Sequence, residues 1–152
     1  MKILIISDSH GNDSAVASAI YKECPDAIIH LGDGCTDIPE SLDFPCYQVC
    51  GNCDSFTCNL PNKQIIELEG VRIFMTHGHL YNVKTTMSSI YLAALEANAD
   101  IALFGHTHMP FTDINPQNPA LFNPGSIRRP PHSYGTLVVK DGKFNLRHRS
   151  LL

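Results

Sequence analysis

The run Lys2-Ile3-Leu4-Ile5-Ile6-Ser7-Asp8-Ser9-His10-Gly11-Asn12 decides how this chain is read. Residues 3–6 are uninterrupted aliphatics, the pattern of a strand buried on both faces rather than one alternating between core and water. The strand stops abruptly in a polar cluster. Asp13 or Ser14 can cap a helix running to about Glu23, with Ala15, Val16, Ala19 and Ile20 as its apolar face, and Pro25-Asp26 ends it. Ala27-Ile28-Ile29-His30-Leu31 repeats the buried-strand pattern and ends in Gly32-Asp33. Strand, helix and strand within 33 residues make a βαβ unit, which favours parallel pairing and a right-handed crossover.

Working outward, residues 46–50 read as a third strand. Residues 64–68 and 71–76 flank Glu69-Gly70, a hairpin signal. A helix is predicted over 83–97, with Met87, Ile90, Tyr91, Ala94 and Leu95 on one face. Residues 101–104 form another short buried strand. The tail carries strands near 110–114, 120–123, 134–139 and 143–149, the last two joined at Asp141-Gly142. An α/β front and a β-rich back fit two packed sheets with helices outside, in one domain spanning 1–152.

Composition narrows the function classes. The 152 residues suffice for one domain with a real core. With 43% hydrophobic and 17% charged residues, the chain is not intrinsically disordered. A net charge of −4 and the lack of a basic stripe argue against a generic nucleic-acid or anionic-membrane binder. No apolar run is long enough to span a bilayer, and the opening aliphatics are too short for a signal-peptide core, so a cytoplasmic location is expected. Eight histidines outnumber six lysines, and ten aspartates outnumber five glutamates, a surplus of short metal-type ligands.

All six cysteines lie between Cys24 and Cys58. Without a secretory signal a disulfide scaffold is not expected, and Cys24 and Cys46 read as buried free thiols. Cys50-Gly51-Asn52-Cys53 spells CxxC, which admits a thiol-redox or structural-zinc module. The second CxxC or HxxxH that a zinc knuckle needs is missing at short range.

Each buried strand is followed at once by a polar cluster: Asp8-Ser9-His10, Gly32-Asp33, Gly51-Asn52-Cys53-Asp54, His77-Gly78-His79 and Gly105-His106-Thr107-His108. Any one of these alone would be an ordinary turn aspartate or a hydrogen-bonded histidine. In open α/β sheets, however, ligands bind beyond the carboxyl ends of strands, so five clusters at one edge would assemble a single site. Asp8/His10 and His106/His108, two residues apart, would each face one side if their segments are extended. Asp8, His10, Asp33, Asn52, His77, His106 and His108 give a mixed oxygen and nitrogen donor set. That set suits Mn²⁺, Fe²⁺, Co²⁺, Ni²⁺ or Zn²⁺ better than Ca²⁺ or Mg²⁺ alone. Seven donors are too many for one tetrahedral zinc and about right for two ions sharing a carboxylate, the arrangement that clamps a phosphoryl group.

In order and spacing these motifs resemble the calcineurin-like metallophosphoesterase superfamily, whose signature runs DxH, GD, GNH(D/E), H and GHxH. With Cys53 in the third motif and Asn123-Pro124-Gly125-Ser126 downstream, the chain is most similar to the small YfcE-like phosphodiesterases. The resemblance implies a four-layer α/β/β/α sandwich of two mixed sheets flanked by helices. It implies two divalent ions, manganese first among them: Asp8, His10 and His108 on one, Asn52, His77 and His106 on the other, and Asp33 between. It implies hydrolysis of a phosphoester, a diester before a monoester, by a hydroxide held between the ions. Asp54 would orient a ligand or loop, and His79 would lie on the substrate side. Cys53 replaces the histidine credited in larger relatives with leaving-group protonation or phosphate binding.

With no cap domain and short inter-motif segments, an open site suits a diester or nucleotide-type small molecule, and Arg128 or Arg129 could meet a substrate phosphate. Small proteins of such folds often pair, so a homodimer or higher homo-oligomer stays open. So does a rival reading, a non-catalytic scaffold like the related retromer subunit. The filled ligand positions weigh against it.

Overall fold

Ile3, Leu4, Ile5 and Ile6 have no exposed surface, because β1 (Lys2–Ile6) is the central strand of a five-stranded sheet covered on both faces. The computed structural model describes residues 1–54 and 58–152. After β1 come α1 (Asp13–Glu23), β2 (Ala27–His30) and β3 (Cys46–Gln48), then the antiparallel pair β4 (Lys63–Leu68) and β5 (Val71–Thr76). A short 3₁₀ turn at His79–Tyr81 leads to α2 (Ser88–Glu96) and β6 (Ile101–Leu103). β7 (Pro110–Asp113), β8 (Ala120–Pro124), β9 (Ser133–Lys140) and β10 (Lys143–Ser150) complete the chain.

The strands form two mixed sheets. The first has the order β10-β9-β1-β2-β3, the second β4-β5-β6-β8-β7. β1, β2 and β3 are mutually parallel, as are β5, β6 and β8, while the outer pairs are antiparallel. Alternation along β1 explains the layering. Ile3 and Ile5 point into the inter-sheet core with Ile29, Ile73, Met75, Leu103 and Phe122. Leu4 and Ile6 point the other way, onto Val16 and Ala19 of α1. α2 covers the far face of the second sheet, packing Ile90 and Ala94 against Phe74, Ala102 and Phe104. This is the expected four-layer α/β/β/α sandwich.

Boundaries differ from the sequence reading where side chains cap the backbone. Asn12, not Asp13 or Ser14, caps α1, its Oδ1 accepting the Ala15 N–H at 3.1 Å. α2 begins at Ser88 rather than near Val83. Asn82 takes a left-handed conformation, and Thr86 Oγ1 accepts the Ser88 N–H at 3.2 Å, so residues 82–87 turn while Val83 still plugs the core. β3 ends at Gln48, short of residue 50.

The cysteines also differ from expectation. Cys24 is exposed at the left-handed C-terminus of α1, not a buried thiol, and Cys46 is half-buried. One disulfide joins Cys35 to Cys58. Cys50 and Cys53 are free thiols, and no cluster of metal-type donors among the described residues contains both. A CxxC zinc site therefore finds no support among the described residues.

Candidate metal centre

Parallel pairing puts the carboxyl ends of β1, β2 and β3 at one edge of the first sheet, and those of β5 and β6 at one edge of the second. The five polar clusters meet there. Two sets of donor atoms assemble with every member within 4.8 Å of the others: Asp8, His10 and His108, and Asp33, His77 and His106. They interlock. Asp33 Oδ2 lies 3.3 Å from His77 Nε2 and 3.7 Å from His10 Nε2. Asp8 Oδ1 lies 3.1 Å from His108 Nε2 and 3.9 Å from His77 Nε2. Asn52 Oδ1 approaches His77 Nε2 to 3.0 Å. All seven residues singled out in the sequence thus gather at one place.

The extended-segment reading of the two-residue spacings does not hold. Asp8, His10, Asp33, His106 and His108 all have left-handed backbones, with φ between 43° and 69°. Such conformations cost non-glycine residues about 1–2 kcal/mol each. The loops coil tightly, and His106 and His108 diverge into different donor sets instead of facing one way. Gly105 permits the coil: a Cβ there would meet Asp8 Oδ2 at 2.7 Å and collide with Ser7 Oγ.

The surroundings hold these groups for a cation. Asp8 and Asp33 are buried, and Asp8 Oδ1 has no hydrogen-bond partner among the described residues. An orphaned buried carboxylate oxygen is costly unless a positive charge meets it. His77 Nδ1–H donates to the Leu31 carbonyl at 2.7 Å, which leaves Nε2 as a lone pair aimed at two oxygens. Burial alone would lower the pKa of His77, but the Asp33 and Asp8 carboxylates overcome it and push the value up. The donor set and the orphaned oxygen fit divalent metal ions.

Asp54 is a backbone clamp. Its Oδ2 accepts the N–H groups of Asp33 and Gly51, and its Oδ1 accepts those of Gly34 and Cys35, at 2.8–3.0 Å. Burial would raise its pKa, but these four donors hold it below the usual carboxylate range. His79 is half-buried, with its ring 5.4 Å from that of His77 and 6.1 Å from that of His106. Burial, then the neighbouring His77, lower its pKa. Cys53 is exposed, its N–H donating to Asp33 Oδ1 at 2.7 Å. Burial of the sulfur and the Asp33 charge raise the thiol's pKa.

Several supporting residues have roles that their residue types do not announce, Asn123 and Ser126 of the downstream motif among them. His30, fully buried, bonds through Nε2 to Ser9 Oγ at 3.0 Å, and Ser9 Oγ–H donates to Asp37 at 2.6 Å. Asp37 also accepts the Gly11 N–H at 2.8 Å, pinning the loop between Asp8 and α1. Ser126 Oγ–H donates to the Asp8 carbonyl, and Asn123 braces the Gly105 carbonyl. Ser9 lies between Asp8 and His10, but a hydroxyl has no ligand signature of its own.

Residues 1–142 match the family model described as the calcineurin-like phosphoesterase superfamily domain. The chain belongs to that superfamily. It is 32% identical over 153 residues to the probable metallophosphoesterase YsnB of Bacillus subtilis, covering 97% of this chain and 89% of that protein. It is likewise 32% identical to the phosphodiesterase YfcE of Escherichia coli, over 90% of this chain and 87% of the relative. The crystal structure of Vps29 complexed with zinc from Entamoeba histolytica superposes with a TM-score of 0.79 over 99% of both chains at 19% identity, a likeness of fold alone. Superfamily membership makes this chain a metal-dependent phosphoesterase.

Proposed function

We propose that the chain is a two-metal phosphodiesterase acting on a small phosphodiester. The observation that carries this reading is the pair of interlocked donor sets, one built on the buried Asp8 and the other on the buried Asp33, with His77 Nε2 reaching both carboxylates and Asp8 Oδ1 without a hydrogen-bond partner among the described residues. Asp8, His10 and His108 would hold one ion, Asn52, His77 and His106 the other, with Asp33 between them. When bound, two divalent ions supply an activated water and neutralise charge on the phosphoryl oxygens. Manganese is the first candidate, with nickel, cobalt, iron and zinc as alternatives.

The remaining work falls to this chain's own residues. Asp54 fixes the Asp33 backbone, the Leu31 carbonyl sets the ring of His77, and Ser126 steadies Asp8. His79, with its lowered pKa, stands neutral beside the site at pH 7. Cys53 is the departure. A thiol, with a free pKa of roughly 8.5, is a poor substitute for imidazole as a general acid. A leaving group therefore departs on its own stability, which favours activated diesters. The relative named as a phosphodiesterase supports a diester over a monoester.

The test is a metal series with bis(p-nitrophenyl) phosphate and p-nitrophenyl phosphate, beside elemental analysis of the loaded protein. Two ions per chain and diester turnover are expected. A loaded protein inert toward both esters returns the scaffold reading.

A further inference from the structure

We propose that the pocket containing Arg128 and Arg129 binds a second phosphate on the substrate, so that the enzyme prefers phosphodiesters whose nucleoside-sized body carries one. The inference rests on the phosphodiesterase reading and names its substrate class.

Two pockets flank the candidate centre, and they differ in charge. One, about 250 Å³, is lined by His10, Asp33, Asp37 and Asp54 and offers an anion no arginine or lysine. The other, about 400 Å³, is lined by His108, Ser126, Arg128 and Arg129, with prolines on its apolar side. Its volume lies in the range of small-ligand sites. His108 belongs to a donor set and also lines this pocket, so the pocket adjoins the centre.

The arginine-bearing loop is registered to the centre. One hydroxyl, Ser126 Oγ, donates to the Asp8 carbonyl at 2.8 Å and accepts the Arg128 N–H at 3.2 Å. On the other side the Arg128 carbonyl accepts Asn12 Nδ2–H at 2.8 Å. Arg128 thus hangs from a backbone tied to the loop that carries Asp8 and His10. Neither arginine forms a salt bridge among the described residues, so both forks are free to donate. Paired guanidinium groups suit phosphate, which accepts bidentate hydrogen bonds. In a chain of net charge −4, this local basic pair is not part of a general cationic surface.

A matched pair of chromogenic diesters tests the proposal: the p-nitrophenyl ester of thymidine 5′-monophosphate, and the same ester bearing a 3′-phosphate. Leaving group and scissile bond are identical, so only the second phosphate differs. The 3′-phosphorylated ester should show a kcat/KM at least about tenfold higher, the effect of a charge-assisted hydrogen bond. That ratio should fall to about one in Arg128→Gln/Arg129→Gln if the arginines read the phosphate. Equal kcat/KM values in the natural protein, or a ratio kept by the double variant, overturn the proposal. Turnover of bis(p-nitrophenyl) phosphate, which has no second anion, reports on the phosphodiesterase reading alone. Calorimetry gives a readout free of turnover. Thymidine 3′,5′-bisphosphate should bind the metal-loaded protein at least about tenfold tighter than thymidine 5′-monophosphate, and the double variant should lose the difference. Equal affinities overturn the proposal even where no diester is cleaved.

Discussion

Asp54 holds Asp33 by its backbone: the Asp33 N–H donates to Asp54 Oδ2 at 2.8 Å, while Asp33 Oδ1 in turn accepts the Cys53 N–H at 2.7 Å. One carboxylate thus organises the loops after β2 and β3, and the other is left to face the centre. Asp54→Asn keeps the shape but turns an NH₂ toward two backbone donors. Stability should fall by about 1–3 kcal/mol. Metal affinity should drop about 10–100-fold, as when a partner behind a ligand is lost. Denaturant unfolding and metal titration measure both, and an unchanged metal affinity would contradict the clamp.

Acid should destabilise the metal-free fold through His30. Burial lowers its pKa from 6.5 to about 4, with nearby Asp54, Asp37 and Asp8 opposing. Between those values the unfolded chain takes up the proton and the folded chain does not, so stability rises with pH across this window and is lost as pH falls through it. His30→Gln should flatten the profile between pH 6.5 and 4. A slope identical to that of the natural protein would rule His30 out as its source.

Cys53 should make turnover sensitive to the leaving group. Aryl diesters should be cleaved far faster than alkyl diesters, and Cys53→His should raise the rate on alkyl diesters by about a hundredfold, the lower end of general acid catalysis. A Brønsted plot against leaving-group pKa reads this directly. A flat plot for the natural protein defeats the argument.

Tyr134 and Glu23 form a buried pair away from the site. The Tyr134 hydroxyl donates to Glu23 Oε1 at 2.8 Å, and Lys2 Nζ meets Oε2 at 2.7 Å. Burial would raise the pKa of Glu23, but Lys2 and Tyr134 outweigh it and leave the value lowered. The pair therefore stabilises at neutral pH and weakens as pH falls through that lowered value. Tyr134→Phe should cost about 1–3 kcal/mol at pH 7 with metal binding unaltered. Calorimetric unfolding decides it, and no loss of stability would count against the pair.

The layers were legible because burial writes itself into residue type. Ile3–Ile6 and Ala27–Ile29 are apolar without alternation since both faces of the central strands are covered. The donor clusters were legible because metals accept few side-chain types. The backbone holding them was not. Nothing in Asp8 or His106 as residue types announces a left-handed φ, which the loop imposes through Gly105 and through hydrogen bonds from distant residues such as Ser126. The start of α2 was misread because Val83 is buried in a turn, and apolar spacing alone cannot separate that from a helix. The Cys35–Cys58 bond joins residues 23 apart, a pairing that sequence spacing does not specify.

The five left-handed donors carry an evolutionary consequence. A ligand exchanged for glycine at His106 or His108 would lose a donor and relieve about 1 kcal/mol of backbone strain in the metal-free chain. Selection for folding and selection for chemistry therefore pull in opposite directions at these positions. Once turnover ceases to be needed, the centre can erode one residue at a time while the sandwich grows no weaker. A fold built this way passes easily from enzyme to scaffold, and the return path requires rebuilding strain that folding alone never rewards.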